Sequence, residues 1–113
     1  MAVVIYHNRR CNKSRQTLAL LVARGIKPRI VEYLKTPPDQ AEVKRLLRLL
    51  GLTPRQLLRK KEAAEAGLDK PGLSDAQLIA GMAKHPIVIE RPIVVNGERA
   101  ALGRPPEAVL AIL

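Results

Sequence analysis

By Tyr33 the chain has already laid down a strand, a helix and a second strand, and that order admits few folds. Val3-Val4-Ile5-Tyr6 is an unbroken, largely β-branched run, as a strand buried on both faces requires. From Asn12 onward, Leu18, Ala19, Leu21 and Val22 follow helical spacing, and Gly25 supplies the stop. Arg29-Ile30-Val31-Glu32-Tyr33 is the second strand. Two strands joined through a single helix in so short a span imply a right-handed βαβ crossover.

A helical middle follows. Thr36-Pro37-Pro38-Asp39 opens a helix bearing Val43, Leu46, Leu47 and Leu50, closed by Gly51. Thr53-Pro54 pairs a capping residue with proline at the first helical position, starting a short helix through Leu57 and Leu58. Gly67 to Gly72 is loop, and Ser74 caps a helix through Leu78, Ile79 and Met82 that ends before Pro86. Ile93-Val94-Val95, then Asn96-Gly97, then Glu98 to Leu102 is a hairpin pattern, and a terminal helix runs through Ala108, Val109 and Leu110. The sum is βαβ, a helical insertion over about 37–86, then ββα. That is the thioredoxin-like α/β order, a four-stranded mixed sheet, here in one domain spanning 1–113.

Leu, Val, Ile and Ala carry an apolar fraction of 47%, without Phe or Trp, in 113 residues, enough for one hydrophobic core. No apolar run approaches the roughly 20 residues of a membrane span, and the N-terminus enters a strand directly, without a leader pattern. A soluble, cytoplasmic, monomeric protein is the expectation. The net charge of +10 raises the question of nucleic acid. Tyr6 and Tyr33 are the only aromatic residues, so a stacking platform is missing, and the basic residues are spread along the chain. Attraction of a small oxyanion is the other use for such charge.

Cys11 is the lone cysteine, which excludes an intramolecular disulfide and means that any redox cycle takes its second thiol from outside. It sits at the start of the first helix among Arg9, Arg10, Lys13 and Arg15. A helix N-terminus and nearby cations both favour the thiolate, the reactive form, whereas a free thiol of pKa about 8.5 is only about 3% ionised at pH 7. That is a nucleophile's setting. Ser14 either donates to the thiolate or satisfies the first helical turn, and Asn8 shapes the loop. His7, at the strand end, either tunes the thiol or is structural, and His85 before Pro86 is a turn or core element. Two distant histidines and one cysteine do not make a metal site.

The segment His7-Asn8-x-x-Cys11-x-x-Ser14-Arg15 resembles the nucleophile segment of the glutaredoxin-linked arsenate reductases, the ArsC-type (ArsC/Spx-like) family. Tyr33-Leu34-x-Thr36-Pro37-Pro38, Leu57-Leu58-Arg59-Lys60, His85-Pro86, Arg91-Pro92-Ile93-Val94-Val95 and Gly103-Arg104-Pro105 follow in that family's order, over essentially the whole chain. Arg9 stands where the family often has proline, and the chain stops at Leu113, as in a short member without the C-terminal extension. The resemblance implies a three-arginine oxyanion site made of Arg59, Arg91 and Arg104. It also implies a cis peptide at Arg91-Pro92 beside the cysteine. Guanidinium groups suit a tetrahedral polyanion because their forked donors grip adjacent oxygens while neutralising charge. Arg91 and Arg104 stand beside prolines at element junctions, while Arg59 is followed by Lys60 and Lys61 and is explained nearly as well by a solvated helix end.

The implied chemistry starts with attack of the Cys11 thiolate on arsenate. Glutathione, a co-substrate and not a bound cofactor, then reduces the adduct, glutaredoxin takes the glutathionyl group, and arsenite leaves. Two alternatives share the scaffold: a glutathione-dependent thiol reductase with another substrate, and an Spx-like regulator that binds RNA polymerase. The regulators commonly carry a Cys-x-x-Cys switch, and Ser14 here removes the second thiol. The tyrosine-phosphatase-like arsenate reductases need an arginine at the sixth position after the cysteine, where this chain has Thr17.

Overall fold

The structure, a computed structural model, describes residues 2–113 and divides into two compact units. One comprises the chain up to Thr36 together with Arg91–Leu113; the other is Pro37–Glu90.

The first unit is built on a four-stranded sheet of β1 (Val3–Tyr6), β2 (Arg29–Val31), β3 (Ile93–Asn96) and β4 (Arg99–Leu102), in the order β2-β1-β3-β4. β1 and β2 are parallel, linked by helix α1 (Asn12–Ala23), and β3 is antiparallel to both β1 and β4. The sheet is therefore mixed, with the thioredoxin-like order. Strand β1 is central, and Ile5 pairs with Ile30 on one side and Val94 on the other. On one face Val3, Ile5 and Val94 pack with Leu21 of α1 and with Val109 and Ile112 of a C-terminal 3₁₀ helix, Pro106–Ile112. The terminal helix expected from sequence is thus a 3₁₀ helix. Asn96 helps to hold it, donating from Nδ2 to the Ile112 carbonyl at 2.7 Å.

Helix α1 ends where Gly25 takes φ +76, with Gly25 N–H donating to the Val22 carbonyl and Ile26 N–H to that of Leu21. This is the paired closure that a left-handed residue makes possible. Strand β2 stops at Val31, two residues earlier than the sequence pattern suggests. There the chain turns, with the N–H groups of Lys35 and Thr36 both donating to the Glu32 carbonyl, and Tyr33 is buried outside the strand. The β3–β4 turn is also displaced by one residue from the expected Asn96-Gly97. Asn96 pairs with Arg99, and Gly97-Glu98 form the two-residue loop, Gly97 supplying φ +64 in the first central position as a type II′ turn demands.

The second unit is helical: α2 (Gln40–Leu50), α3 (Pro54–Leu57), α4 (Lys60–Glu65), α5 (Asp75–Lys84) and a 3₁₀ turn, Pro86–Val88. Asp39 caps α2 by accepting the Glu42 N–H at 2.8 Å, while Thr53 with Gln56 and Ser74 with Gln77 form full capping boxes on α3 and α5. Val43, Leu46, Leu57, Ala63, Leu78, Met82 and Val88 are buried. Helix α4 has no counterpart in the sequence pattern; it is short, and only Ala63 among its residues is buried. No helix among the described residues is long and apolar enough to cross a membrane.

Candidate active site

The first unit assembles its site at the C-terminal end of β1. His7 N–H extends the parallel pairing by donating to the Val31 carbonyl at 2.8 Å, after which the chain leaves the sheet. Asn8 organises the turn from three positions. Its N–H donates to Ser14 Oγ (3.1 Å), its Oδ1 accepts the Arg10 N–H (3.0 Å), and its carbonyl accepts the Cys11 N–H (3.0 Å). Cys11 then takes the N-cap position of α1, half-buried, in an extended conformation, with no acidic residue in the first helical turn. The positive end of the helix is left to the sulfur.

Two guanidinium groups reach that sulfur. Arg104 places Nη2 at 3.7 Å from Cys11 Sγ and braces itself by donating from Nε to the Arg91 carbonyl at 2.7 Å. The Arg91 side chain, largely buried, hydrogen-bonds the sulfur as well. Burial pushes the Cys11 thiol up, but the Ser14 and Lys13 N–H groups and the Arg91 guanidinium outweigh it, so its pKa lies below the ordinary thiol value. A stabilised thiolate facing two fixed forks of N–H donors can attack an electrophile bound as an oxyanion.

Both arginines precede cis prolines, at Arg91-Pro92 and Arg104-Pro105. Between them Gly103 fits a tight gap: its N–H donates to the Pro92 carbonyl at 2.9 Å, and an added Cβ would collide with Thr17 Oγ1 and lie 2.7 Å from Pro92 Cγ. Thr17 cannot readily yield, being fully buried and hydrogen-bonded to the Lys13 carbonyl at 2.7 Å. Gly103→Ala is therefore expected to cost about 1–3 kcal/mol of stability through overpacking, read from the urea midpoint, and to displace Arg104 from the sulfur.

His7 Nδ1 and Ser14 Oγ share a buried 2.6 Å hydrogen bond. The Ser14 hydroxyl thus ties the end of β1 to the first turn of α1, and it is the Ser14 backbone N–H that serves the thiolate. Burial lowers the His7 pKa below 6.5, with Glu32 opposing and Arg9 assisting, which favours the neutral ring. Because the unfolded chain binds the proton more readily, this contribution to stability is present above about pH 6.5 and is lost as the pH falls through the folded value. Urea unfolding from pH 7 to 5 should show a decline in midpoint that is shallower in His7→Gln.

Arg15 is exposed; its N–H donates to the Cys11 carbonyl at 3.0 Å and its guanidinium to Asn12 Oδ1, and neither bond involves the sulfur. Arg59 lies in the helical unit. There its Nη1 pairs with Glu90 Oε1 at 2.8 Å and its Nε with Glu62 Oε1 at 3.2 Å, while Leu58 bridges to Ile89 and Arg59 N–H donates to the Val88 carbonyl. Burial disfavours its charge, but the two carboxylates prevail and raise its pKa. The spacing Arg59-x-x-Glu62 carried half of this signal; Glu90 was not legible in advance. Glu32, which nothing in its strand pattern marks as part of the site, pairs with Arg9 Nε at 3.4 Å and Lys35 Nζ at 3.6 Å. No group of three or more His, Cys, Asp or Glu residues suited to a metal occurs among the described residues.

The ArsC family model matches residues 6–112. The chain belongs to the ArsC family. One relative, named arsenate reductase, from Rhizobium meliloti, is 49% identical over 115 residues, covering all of this chain and 82% of its own. Another of that name from Haemophilus influenzae is 46% identical over the full length of both chains. The solved structure of an arsenate reductase from Vibrio cholerae superposes with a TM-score of 0.95 at 52% identity, covering 100% of this chain and 98% of that one.

Proposed function

We propose that this ArsC-family chain reduces arsenate to arsenite with Cys11 as the nucleophile. The observation that carries the reading is the convergence of Arg91 and Arg104 on a Cys11 thiolate at a helix N-terminus. Arsenate is a polyanion, and an anionic sulfur approaches it only where the charge of both is compensated. Two guanidinium groups and the open helix end supply that compensation, and the relatives named arsenate reductase support the substrate.

In the first step the thiolate forms an S–As bond and one arsenic-bound oxygen, taking up protons, leaves as water; arsenic stays As(V). Reduction to As(III) takes two electrons, and the chain has one thiol, so two external thiols complete the cycle. Glutathione condenses at arsenic, releasing a second water. A glutaredoxin thiolate then attacks the glutathione sulfur. The As–S bond breaks, its electron pair stays on arsenic, and the two external sulfurs become a disulfide. Water cleaves the remaining Cys11–As(III) bond, releasing arsenite and the free thiol. A glutathione-reducing compartment, the cytoplasm, is where such a cycle runs.

The test is reduction of arsenate by the purified chain with glutathione and glutaredoxin, coupled through glutathione reductase to NADPH oxidation. Arsenate-dependent NADPH consumption supports the reading. Its absence, with a folded protein and an active coupling system, rejects arsenate as substrate.

A further inference from the structure

Beside the cysteine loop lies a cavity of about 190 Å³ lined by His7, Asn8, Arg9, Arg10, Glu32, Leu34 and Lys35. Its walls come from the residues that precede Cys11 and from the turn that follows β2. It presents three cations against one carboxylate. Arg9 and Lys35 hold Glu32 from two sides, and Arg10 is exposed and makes no ion pair among the described residues. With its pKa lowered, the buried His7 adds no charge near neutral pH.

We propose that this cavity seats the free amino-acid end of the thiol that condenses on the Cys11 adduct, that is, the γ-glutamyl arm of glutathione. The claim rests on the reading that an external thiol completes the cycle. That arm carries an α-carboxylate and an α-ammonium on one carbon. Arg10 offers a fork to the carboxylate, and Glu32, already fixed by Arg9 and Lys35, offers the only acidic acceptor on the wall. The excess of cations favours a ligand of net negative charge, as glutathione is.

Reach agrees with the assignment. Arg10 adjoins Cys11 in sequence, about 3.8 Å between Cα atoms, and a tripeptide spans at most roughly 10 Å. Arg10 is the residue before the nucleophile, so the cavity wall and Cys11 belong to one loop. The cavity is smaller than typical pockets for whole ligands, which fits one arm and not the whole tripeptide.

The test uses S-methylglutathione, which cannot react, titrated into the ¹⁵N-labelled full chain without arsenate. The proposal predicts saturable shifts of the Asn8, Arg10 and Lys35 amides. It also predicts about tenfold weaker binding for Glu32→Gln, for Arg10→Ala, and for the wild type with the α-amine acetylated. Acetylation should cost nothing further in Glu32→Gln, because the two changes remove the same contact. Lys44→Ala, a cation removed from α2, should bind as the wild type does. Absence of saturable shifts at these amides, equal binding of the acetylated probe, or an equal loss in Lys44→Ala would overturn the assignment. Since the titration contains no arsenate, its failure is distinct from failure of the turnover assay.

Discussion

Cys11→Ser is expected to lower arsenate reduction by at least about a thousandfold, to the background of the coupling system. The hydroxyl has the same reach but is not ionised near neutral pH, so it does not form the bond to arsenic on which every later step depends. The substitution leaves the fold intact by construction. Cys11 is the N-cap of α1, and serine is among the favoured residues at that position, so the helix is capped at least as well as before. Loss of NADPH oxidation with an unchanged or raised melting temperature is the expected pair of results. Retention of substantial turnover would end the covalent scheme.

Arg91→Met should have the next largest effect. The guanidinium hydrogen-bonds the sulfur, attracts it as a charge, and is itself largely buried. Methionine fills similar space without charge, so burial then acts on the thiol with less opposition and its pKa moves up. The alkylation rate of Cys11 against pH should shift to a higher midpoint, while kcat/KM for arsenate falls by about a hundredfold or more, as when one member of a desolvated charge pair is removed. Arg104→Lys is milder. It keeps the charge but gives up the geometry in which Nε braces on the Arg91 carbonyl while Nη2 reaches the sulfur, so about tenfold is expected, mostly in KM. Equal effects of the two substitutions would contradict the division of labour drawn here.

Much of this scaffold was legible because its signals are local. Val3–Tyr6 is a strand by composition, Gly25 closes α1 by backbone freedom, and Thr53 and Ser74 cap their helices through the residue three positions on. The errors came where a tertiary contact overrode a local pattern. Asn96 favours a turn, but its side chain is engaged by the Ile112 carbonyl and its backbone pairs with Arg99, so the turn moves to Gly97-Glu98. The strand pattern through Tyr33 gives way at Glu32, whose carbonyl accepts two N–H groups.

The site divides in the same way. Placement of Cys11 at a helix start followed from the pattern around it. That Arg91 and Arg104 meet at the sulfur is a long-range fact, dependent on β3 pairing with β1 and β4 with β3, and the residues by themselves show only their position beside prolines. The resemblance supplied the rest. The Glu90 partner of Arg59, and the Glu32 carboxylate across the loop, are not legible because acidic residues in a basic chain read as surface.

One thiolate and two arginines form a single oxyanion site, and the measurement that bears on this is alkylation of Cys11 by iodoacetamide at pH 7 with increasing arsenate. The expected result is a fast rate without arsenate and saturable protection as arsenate occupies the arginines, with the protection weakened in Arg91→Met. A rate that stays constant across the arsenate series would contradict it.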